Sequence, residues 1–237
     1  MRYTVSEYSF SAGLAEPLRL IFVSDLHDCP NERLVARIRS LSPDAVLVGG
    51  DFIHNIERCG RGLDFLGFAS QIAPTFVSIG NHDRHFGSSA DDRIREAGAV
   101  PLDNDFTHFG GIVIGGLSSG YPSGPHGREK VTPPPNGRWL SRFCCEKGFK
   151  LLLCHHPEYY EETVKPFPID LTVAGHAHGG QWRFFGRGIY APGQGLFPKY
   201  TAGLYDGGRL LVGRGLGNPY PVPRIFNPPE IIVLNLV

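Results

Sequence analysis

Apolar runs of strand length alternate with helical patterns over the first hundred residues. Arg19–Ser24 reads as a buried strand. In residues 31–41, Leu34, Val35, Ile38 and Leu41 recur at helical spacing, with Asn31 placed to cap the first turn. Ala45–Val48 predicts a second buried strand, Cys59–Ile72 a second helix and Thr75–Ile79 a third strand. Asp91–Ala97 predicts a short helix closed by Gly98. This β-α-β-α-β order implies parallel strands joined by crossover helices.

The pattern then changes. Phe106–Phe109 and Ile112–Leu117 flank Gly110-Gly111 and predict a hairpin. After a Gly/Pro-rich stretch, Arg138–Lys147 predicts a helix. Phe149–Cys154 and Ile169–Ala174 predict two more buried strands with a Glu/Tyr-rich helix between them. Gln181–Phe185, Leu204–Asp206, Leu210–Gly213 and Glu230–Val237 read as strands, and Asp206-Gly207-Gly208 is a strong turn signal. Residues 1–17 are expected to form an irregular or strand-like lead-in. No repeat or linker interrupts the chain, so residues 1–237 are expected to form one α/β domain of two packed sheets covered by helices.

Composition narrows the function classes. The 23 basic and 23 acidic residues cancel, so the global basic excess of a nucleic-acid binder is missing. A local excess over Arg128–Lys150, six Lys or Arg against two Glu, reads as a solvated face. Five cysteines, with no C-x-x-C, do not make a disulfide framework and favour a reducing compartment. The N-terminus lacks the apolar core of a signal peptide, and no stretch is long enough to span a bilayer. The sequence as given is therefore expected to be soluble and cytoplasmic, unless an anchor has been removed. Lipid substrates would call for an exposed apolar ramp or an amphipathic helix, and the sequence shows no clear one.

The chemistry-bearing residues follow the predicted strands. Asp25-Leu26-His27 follows the first, Gly50-Asp51 the second, and Gly80-Asn81-His82-Asp83 the third. His155-His156 follows Phe149–Cys154, and Gly175-His176-Ala177-His178 follows Ile169–Ala174. Parallel strands would bring these five loops to one sheet edge, where open α/β sheets bind ligands. Carboxylate oxygens and imidazole nitrogens without thiolates suit manganese, iron or zinc, and argue against a closed structural zinc site. Two such cations can activate water and clamp a phosphoryl group. Glycines before Asp51, Asn81 and His176 allow a sharp turn and close backbone approach.

This ordered set resembles the calcineurin-like metallophosphoesterases, whose motifs read D-x-H, G-D, G-N-H-D/E, H and G-H-x-H. The likeness runs from about Arg19 to Val237. The tail motifs Gly175–Gln181, Tyr190–Gly193, Arg214–Gly217 and Pro228–Glu230 are similar to a bacterial branch that includes YkuE-like and YaeI-like phosphodiesterases, many of them membrane-anchored. The resemblance implies a four-layer α/β/β/α sandwich and two divalent metal ions, manganese first, with iron, zinc or magnesium as alternatives. It implies that Asp25, His27 and His178 bind one ion, that Asp51 bridges, and that Asn81, His155 and His176 complete the second site. His82 would protonate the leaving group or stabilise phosphoryl charge, and Asp83 would hold the His82 ring. The family's His-x-Pro pattern, met by Pro157, favours His155 over His156 as ligand.

The implied reaction is hydrolysis of a phosphodiester or pyrophosphate in a small phosphorylated substrate by a metal-bound hydroxide. Phosphomonoester or protein-phosphatase activity is the near alternative, because specificity lies in the loops. A non-catalytic interaction module on the same fold should lack His82 or several ligands, and all are present. Among other residues, His54, His85 and His108 read as solvated or structural. His126, Arg128 and Lys130 lie in the Gly/Pro-rich stretch as a mobile surface loop or a cover for phosphate. Cys29 and Cys154 read as apolar fillers. Arg214 is left between a substrate and a structural role.

Overall fold

The computed structural model describes residues 3–29, 32–120, 135–219 and 221–237. Asn31 and the 121–134 stretch with His126, Arg128 and Lys130 therefore lie outside the described residues. The strands in chain order are β1 (Thr4–Phe10), β2 (Leu18–Val23), β3 (Ala45–Val48), β4 (Thr75–Val77), β5 (Val100–Pro101), β6 (Asp105–Phe109), β7 (Ile112–Leu117), β8 (Phe149–Cys154) and β9 (Leu171–Ala174). Two small hairpins follow, β10 (Arg183–Phe184) with β11 (Arg187–Gly188) and β12 (Tyr190–Ala191) with β13 (Gly195–Leu196). The last strands are β14 (Gly203–Tyr205), β15 (Leu210–Val212) and β16 (Glu230–Leu236). The helices are α1 (Glu32–Ser40), α2 (Gly60–Ser70), α3 (Ala90–Glu96) and α4 (Leu140–Cys145).

Two six-stranded sheets form, ordered β1-β16-β2-β3-β4-β5 and β14-β15-β9-β8-β7-β6. Within the first, β2, β3, β4 and β5 are parallel; in the second, β7, β8, β9 and β15 are parallel. The period-2 alternation of each strand sorts its apolar side chains into layers. Leu20 and Phe22 of β2, Leu47 of β3, Leu151 and Leu153 of β8 and Val173 of β9 meet in a dry layer between the sheets. Their neighbours Ile21, Val23, Val46 and Val48 face the other way and pack with Leu34 and Ile38 of α1 and Phe65 and Leu66 of α2. On the far side, Leu152 and Cys154 pack with Leu140 and Phe143 of α4. The strands read as unbroken apolar runs because both faces are covered. A side chain such as Phe22, 1% exposed, gains roughly 1.5–3 kcal/mol from that burial. The result is the expected α/β/β/α sandwich.

Local differences have local causes. Residues 4–10 form a full strand, because β16 offers them a parallel edge across seven paired positions. The expected Glu/Tyr-rich helix is a 3-10 turn at Pro157–Tyr159 running into a π turn at Tyr160–Val164, with Pro157 at the start. The 138–147 helix is shorter than expected and enters through a 3-10 turn at Gly137–Trp139. The 181–185 strand shrinks to two residues, paired with the equally short β11, while Trp182 makes a single parallel bridge to Ile225. No helix among the described residues is long and apolar enough to cross a membrane.

Candidate metal centre

The carboxyl ends of β2, β3 and β4 in one sheet face those of β8 and β9 in the other. Hydrogen bonds tie the two sheets together at this edge. Ser119 N–H donates to the Ile79 carbonyl at 3.0 Å and Leu216 N–H to the Ser24 carbonyl at 3.0 Å. His155 Nδ1–H donates to the Gly49 carbonyl at 2.7 Å. That last bond fixes the ring, leaving Nε2 as the atom turned into the site.

The sequence-predicted residues converge here. Donor atoms of Asp25, His27 and His178 lie within 4.8 Å of one another, and so do those of Asp25, Asp51 and His155. His27 Nε2 and His178 Nε2 face each other at 3.2 Å, and His178 Nε2 is 3.6 Å from Asp25 Oδ1. Asp51 Oδ2 lies 3.6 Å from His27 Nε2 and 3.3 Å from His155 Nε2. A single carboxylate oxygen therefore stands between two groups of ring nitrogens. His176 joins the second group, its ring 5.0 Å from that of His155. Asn81 is half-buried, next to Gly80.

The backbone is strained to bring this about. Asp25, His27, Asp51, His176 and His178 all have positive φ, between 46° and 61°. Such residues cost of order 1–3 kcal/mol each and collect at functional sites. A Cβ on Gly80 would lie 2.2 Å from Asp51 Oδ1, and one on Gly175 would lie 2.6 Å from Asp25 Oδ2. Only glycine lets these loops pass so close to the carboxylates.

The donor set fits divalent cations. Asn81 Oδ1 and His155 Nε2 are buried with no hydrogen-bond partner among the described residues. Asp51 is near enough to attract His155, without an aligned hydrogen bond. The facing His27 and His178 Nε2 atoms, 3.2 Å apart, share one N–H···N bond or turn both lone pairs to a single cation. Burial pushes the His27 and His176 imidazoles well below the ordinary histidine value and His178 down to about 4. They are neutral, the form that binds metal. Burial also opposes charge on His155, but the Asp51 carboxylate outweighs it and raises the ring to about 10. Asp51, buried as it is, is held well below the usual carboxylate range by His155, His82 and His27.

Two expected roles change. Asp83 does not hold the His82 ring. Fully buried, it accepts backbone N–H bonds from Asp51 at 2.7 Å, Gly80 at 2.8 Å and Ile53 at 3.3 Å. It locks the β3 and β4 loops together instead. The His82 ring is held by the His54 carbonyl, 2.5 Å from Nδ1, and the His82 backbone N–H donates to Asp51 Oδ1 at 2.8 Å. A ring nitrogen facing a carbonyl carries the proton, so Nε2 is the nitrogen left for chemistry. His82 reaches past its immediate neighbour because the 3-10 turn that starts at Asp83 directs that carboxylate back under the loop.

The remaining histidines fall into place around this core. His156 is buried, with Nε2 2.6 Å from Ser119 Oγ and Nδ1 3.3 Å from Glu158 Oε1, and a ring nitrogen of it lies within 4.8 Å of donor atoms of His155 and His176. His54 supplies its carbonyl to His82, and its ring lies 5.4 Å from the His82 ring. His85 and His108 are exposed, and His108 pairs with Glu146 at 3.1 Å. Cys29 and Cys154 pack into apolar clusters. Arg214 is structural: its guanidinium and backbone N–H both donate to Glu230.

Three supports were not anticipated. Glu158 Oε1 sits 3.7 Å from His176 Nε2, and its place just after His155-His156-Pro157 could have marked it. Arg224 Nη2 lies 3.2 Å from His178 Nδ1, and Asn227 Nδ2 donates to the His178 carbonyl at 2.7 Å. These two come from 46 and 49 residues away, with no local signal to announce them.

A family model for calcineurin-like phosphoesterases matches residues 18–180, the span that carries every one of these motifs. The chain belongs to the calcineurin-like phosphoesterase family. It is a hydrolase of phosphoester bonds; the family uses divalent metals, and the Asp and His clusters described above could hold them. Its relatives lie in the bacterial branch expected from the tail motifs. Phosphodiesterase YaeI of Escherichia coli (strain K12) is 28% identical, aligned over 97% of this chain and 86% of its own. UDP-2,3-diacylglucosamine pyrophosphatase LpxG of Chlamydia muridarum is 27% identical, over 92% of this chain and 83% of its own. The uncharacterised metallophosphoesterase YkuE of Bacillus subtilis is 28% identical, over 86% and 71%. Among solved structures, phosphopantetheinyl hydrolase from Mycobacterium tuberculosis shares the fold, with a TM-score of 0.51 and 17% identity over 84% of this chain and 89% of that one.

Proposed function

We propose that this metallophosphoesterase hydrolyses a phosphodiester or pyrophosphate bond of a small phosphorylated substrate at a dinuclear centre, with manganese as the preferred cation. The observation that carries this reading is the position of Asp51 Oδ2 between His27 Nε2 and His155 Nε2. Asp25, His27 and His178 would hold one cation, Asn81, His155 and His176 the other, and Asp51 would touch both. Bound there, the cations supply Lewis-acid activation of water and neutralise phosphoryl charge. The mixed oxygen and nitrogen donors, without a thiolate, support manganese over copper or a structural zinc.

The protein's own groups do the remaining work. Asp83 fixes the loop that carries Asp51, so the bridging carboxylate is set before substrate arrives. The Asp51 Oδ1 bond to His82 N–H orients the second loop against the first. Braced at Nδ1 by the His54 carbonyl, the doubly protonated His82 ring would carry its second proton on Nε2 and give it to the departing alkoxide or phosphate oxygen, returning to the neutral ring. Burial of Asp25, Asp51 and His155 excludes bulk water, which strengthens each charge interaction inside. The activities named for YaeI and LpxG, a phosphodiesterase and a pyrophosphatase, support the diester or pyrophosphate choice.

The test is hydrolysis of bis-p-nitrophenyl phosphate beside p-nitrophenyl phosphate by the manganese-loaded protein. Diester turnover that is lost in Asp51→Asn and His82→Ala is the expected result. Equal rates in wild type and both variants would sink the mechanism, and a preference for the monoester would overturn the substrate class.

A further inference from the structure

The chain is neutral overall, yet its charge is unevenly placed. From Leu171 to Pro229 there are six Lys or Arg and one acid, Asp206. Lys199 is paired with Glu161, Arg209 with Asp206 and Arg214 with Glu230. Arg183 and Arg187, both on the β10–β11 hairpin, have no acidic partner among the described residues. Arg187 is exposed, while Arg183 braces the Gly179 carbonyl and Thr201 Oγ1.

The same segment carries the large apolar side chains that the fold leaves in water. Phe185 at the hairpin turn is fully exposed, and Phe226 is 74% exposed. They are neighbours. Arg183 N–H donates to the Ile225 carbonyl at 3.0 Å, and the Phe184 ring lies 5.8 Å from the Phe226 ring. Phe226 walls two open clefts, one of about 350 Å³ with Phe184 and Phe185 and one of about 480 Å³ with Leu216 and Arg224. The second hairpin, whose Leu196 and Phe197 are 70% and 78% exposed, is tied on by Phe197 N–H to the Ile189 carbonyl.

This surface is built directly on the metal-ligand loop. Gly180 packs against Gly188 of β11, and Asn227 bonds the His178 carbonyl. Exposed apolar patches of this kind mark interaction sites. Aromatic side chains at protruding turns beside the exposed Arg187, on a segment with a net excess of basic residues, match the chemistry of an anionic bilayer surface, where rings enter the headgroup–acyl boundary and a guanidinium group meets phosphates. We propose that the β10–β11 hairpin and the Ile225-Phe226 turn form a docking surface for anionic lipid bilayers, which seats the Asp and His cluster at the membrane surface.

Vesicle co-sedimentation tests this independently of catalysis. The probes are phosphatidylcholine vesicles with and without phosphatidylglycerol, mixed with the full chain, with Phe185→Ser/Phe226→Ser and with Arg187→Glu. Wild type is expected to bind the anionic vesicles, less so at high salt. The double variant should lose about tenfold or more in partitioning and Arg187→Glu several-fold. Both should keep the wild-type circular dichroism melt and the wild-type rate on bis-p-nitrophenyl phosphate, so a failure to dock and a failure to hydrolyse are separate results. No binding to anionic vesicles overturns the proposal, as does equal binding by the double variant. A concentration-dependent dimer that the double variant dissolves, without vesicle binding, assigns the surface to a second copy instead.

Discussion

His82 and Asp83 are adjacent, yet the structure gives them opposite tasks. His82 has one ring nitrogen committed to the His54 carbonyl and the other left for chemistry, while Asp83 has both oxygens committed to backbone N–H groups. Their variants should therefore fail differently. His82→Ala is expected to keep its metal and its stability but lose about 10²–10⁴-fold in kcat, read from steady-state kinetics beside metal content. Asp83→Ala leaves buried N–H groups of Asp51 and Gly80 without acceptors. It should lose about 3 kcal/mol or more in denaturant unfolding and bind metal poorly. The residue types were legible in the sequence. The division of labour was not, because whether a side chain points into a site or back under its own loop depends on the turn it starts.

At the scale of elements, the strand-end loops depend on bare glycines, Gly80 and Gly175 among them. Gly80→Ala and Gly175→Ala would drive a methyl to within 2.2 and 2.6 Å of the Asp51 and Asp25 carboxylate oxygens. Each is expected to lower stability by about 1–3 kcal/mol through overpacking, and to reduce the metal bound. Gly60→Ala, where nothing lies within 4 Å, is the control and should melt like wild type. Calorimetry with metal analysis on the three proteins checks this. Strands β2, β3, β8 and β9 were readable as apolar runs because both their faces are buried. The 3-10 and π turns at 157–164 were not, since a Glu/Tyr-rich stretch of that length is equally compatible with a helix. The exposed aromatic residues of the hairpins were not legible either, since isolated apolar residues at turns form neither an apolar ramp nor an amphipathic helix.

At the scale of the whole molecule, the centre makes stability depend on pH and on metal. His27, His176 and His178 are folded in neutral form, with His178 lowered to about 4, so the unfolded chain binds more protons below the ordinary histidine value. Their contribution is full above pH about 6.5 and is lost as pH falls toward about 4. His155 has the opposite sign. Raised to about 10, it contributes fully below pH about 6.5 and loses that contribution as pH rises through about 10. The chelated protein is therefore expected to lose Tm on the acid side of about pH 6.5, and metal affinity should weaken over the same window as ligands protonate. Thermal melts across pH, with and without chelator, check both. Restoring manganese at about a hundred times its Kd should recover about 2.7 kcal/mol per site at neutral pH.

The sequence by itself determined the apolar periodicity of the layers and the order of aspartates, asparagine and histidines after the buried strands. These are local properties, set by side-chain period and by the chemistry each residue type can perform. Tertiary structure alone decided which atoms meet. It set Asp51 Oδ2 between His27 and His155, sent Asp83 beneath the loop, brought Arg224 and Asn227 to His178, and left Phe185 and Phe226 in solvent beside the site. Those contacts join residues far apart in the chain, so packing fixes them and no local pattern records them.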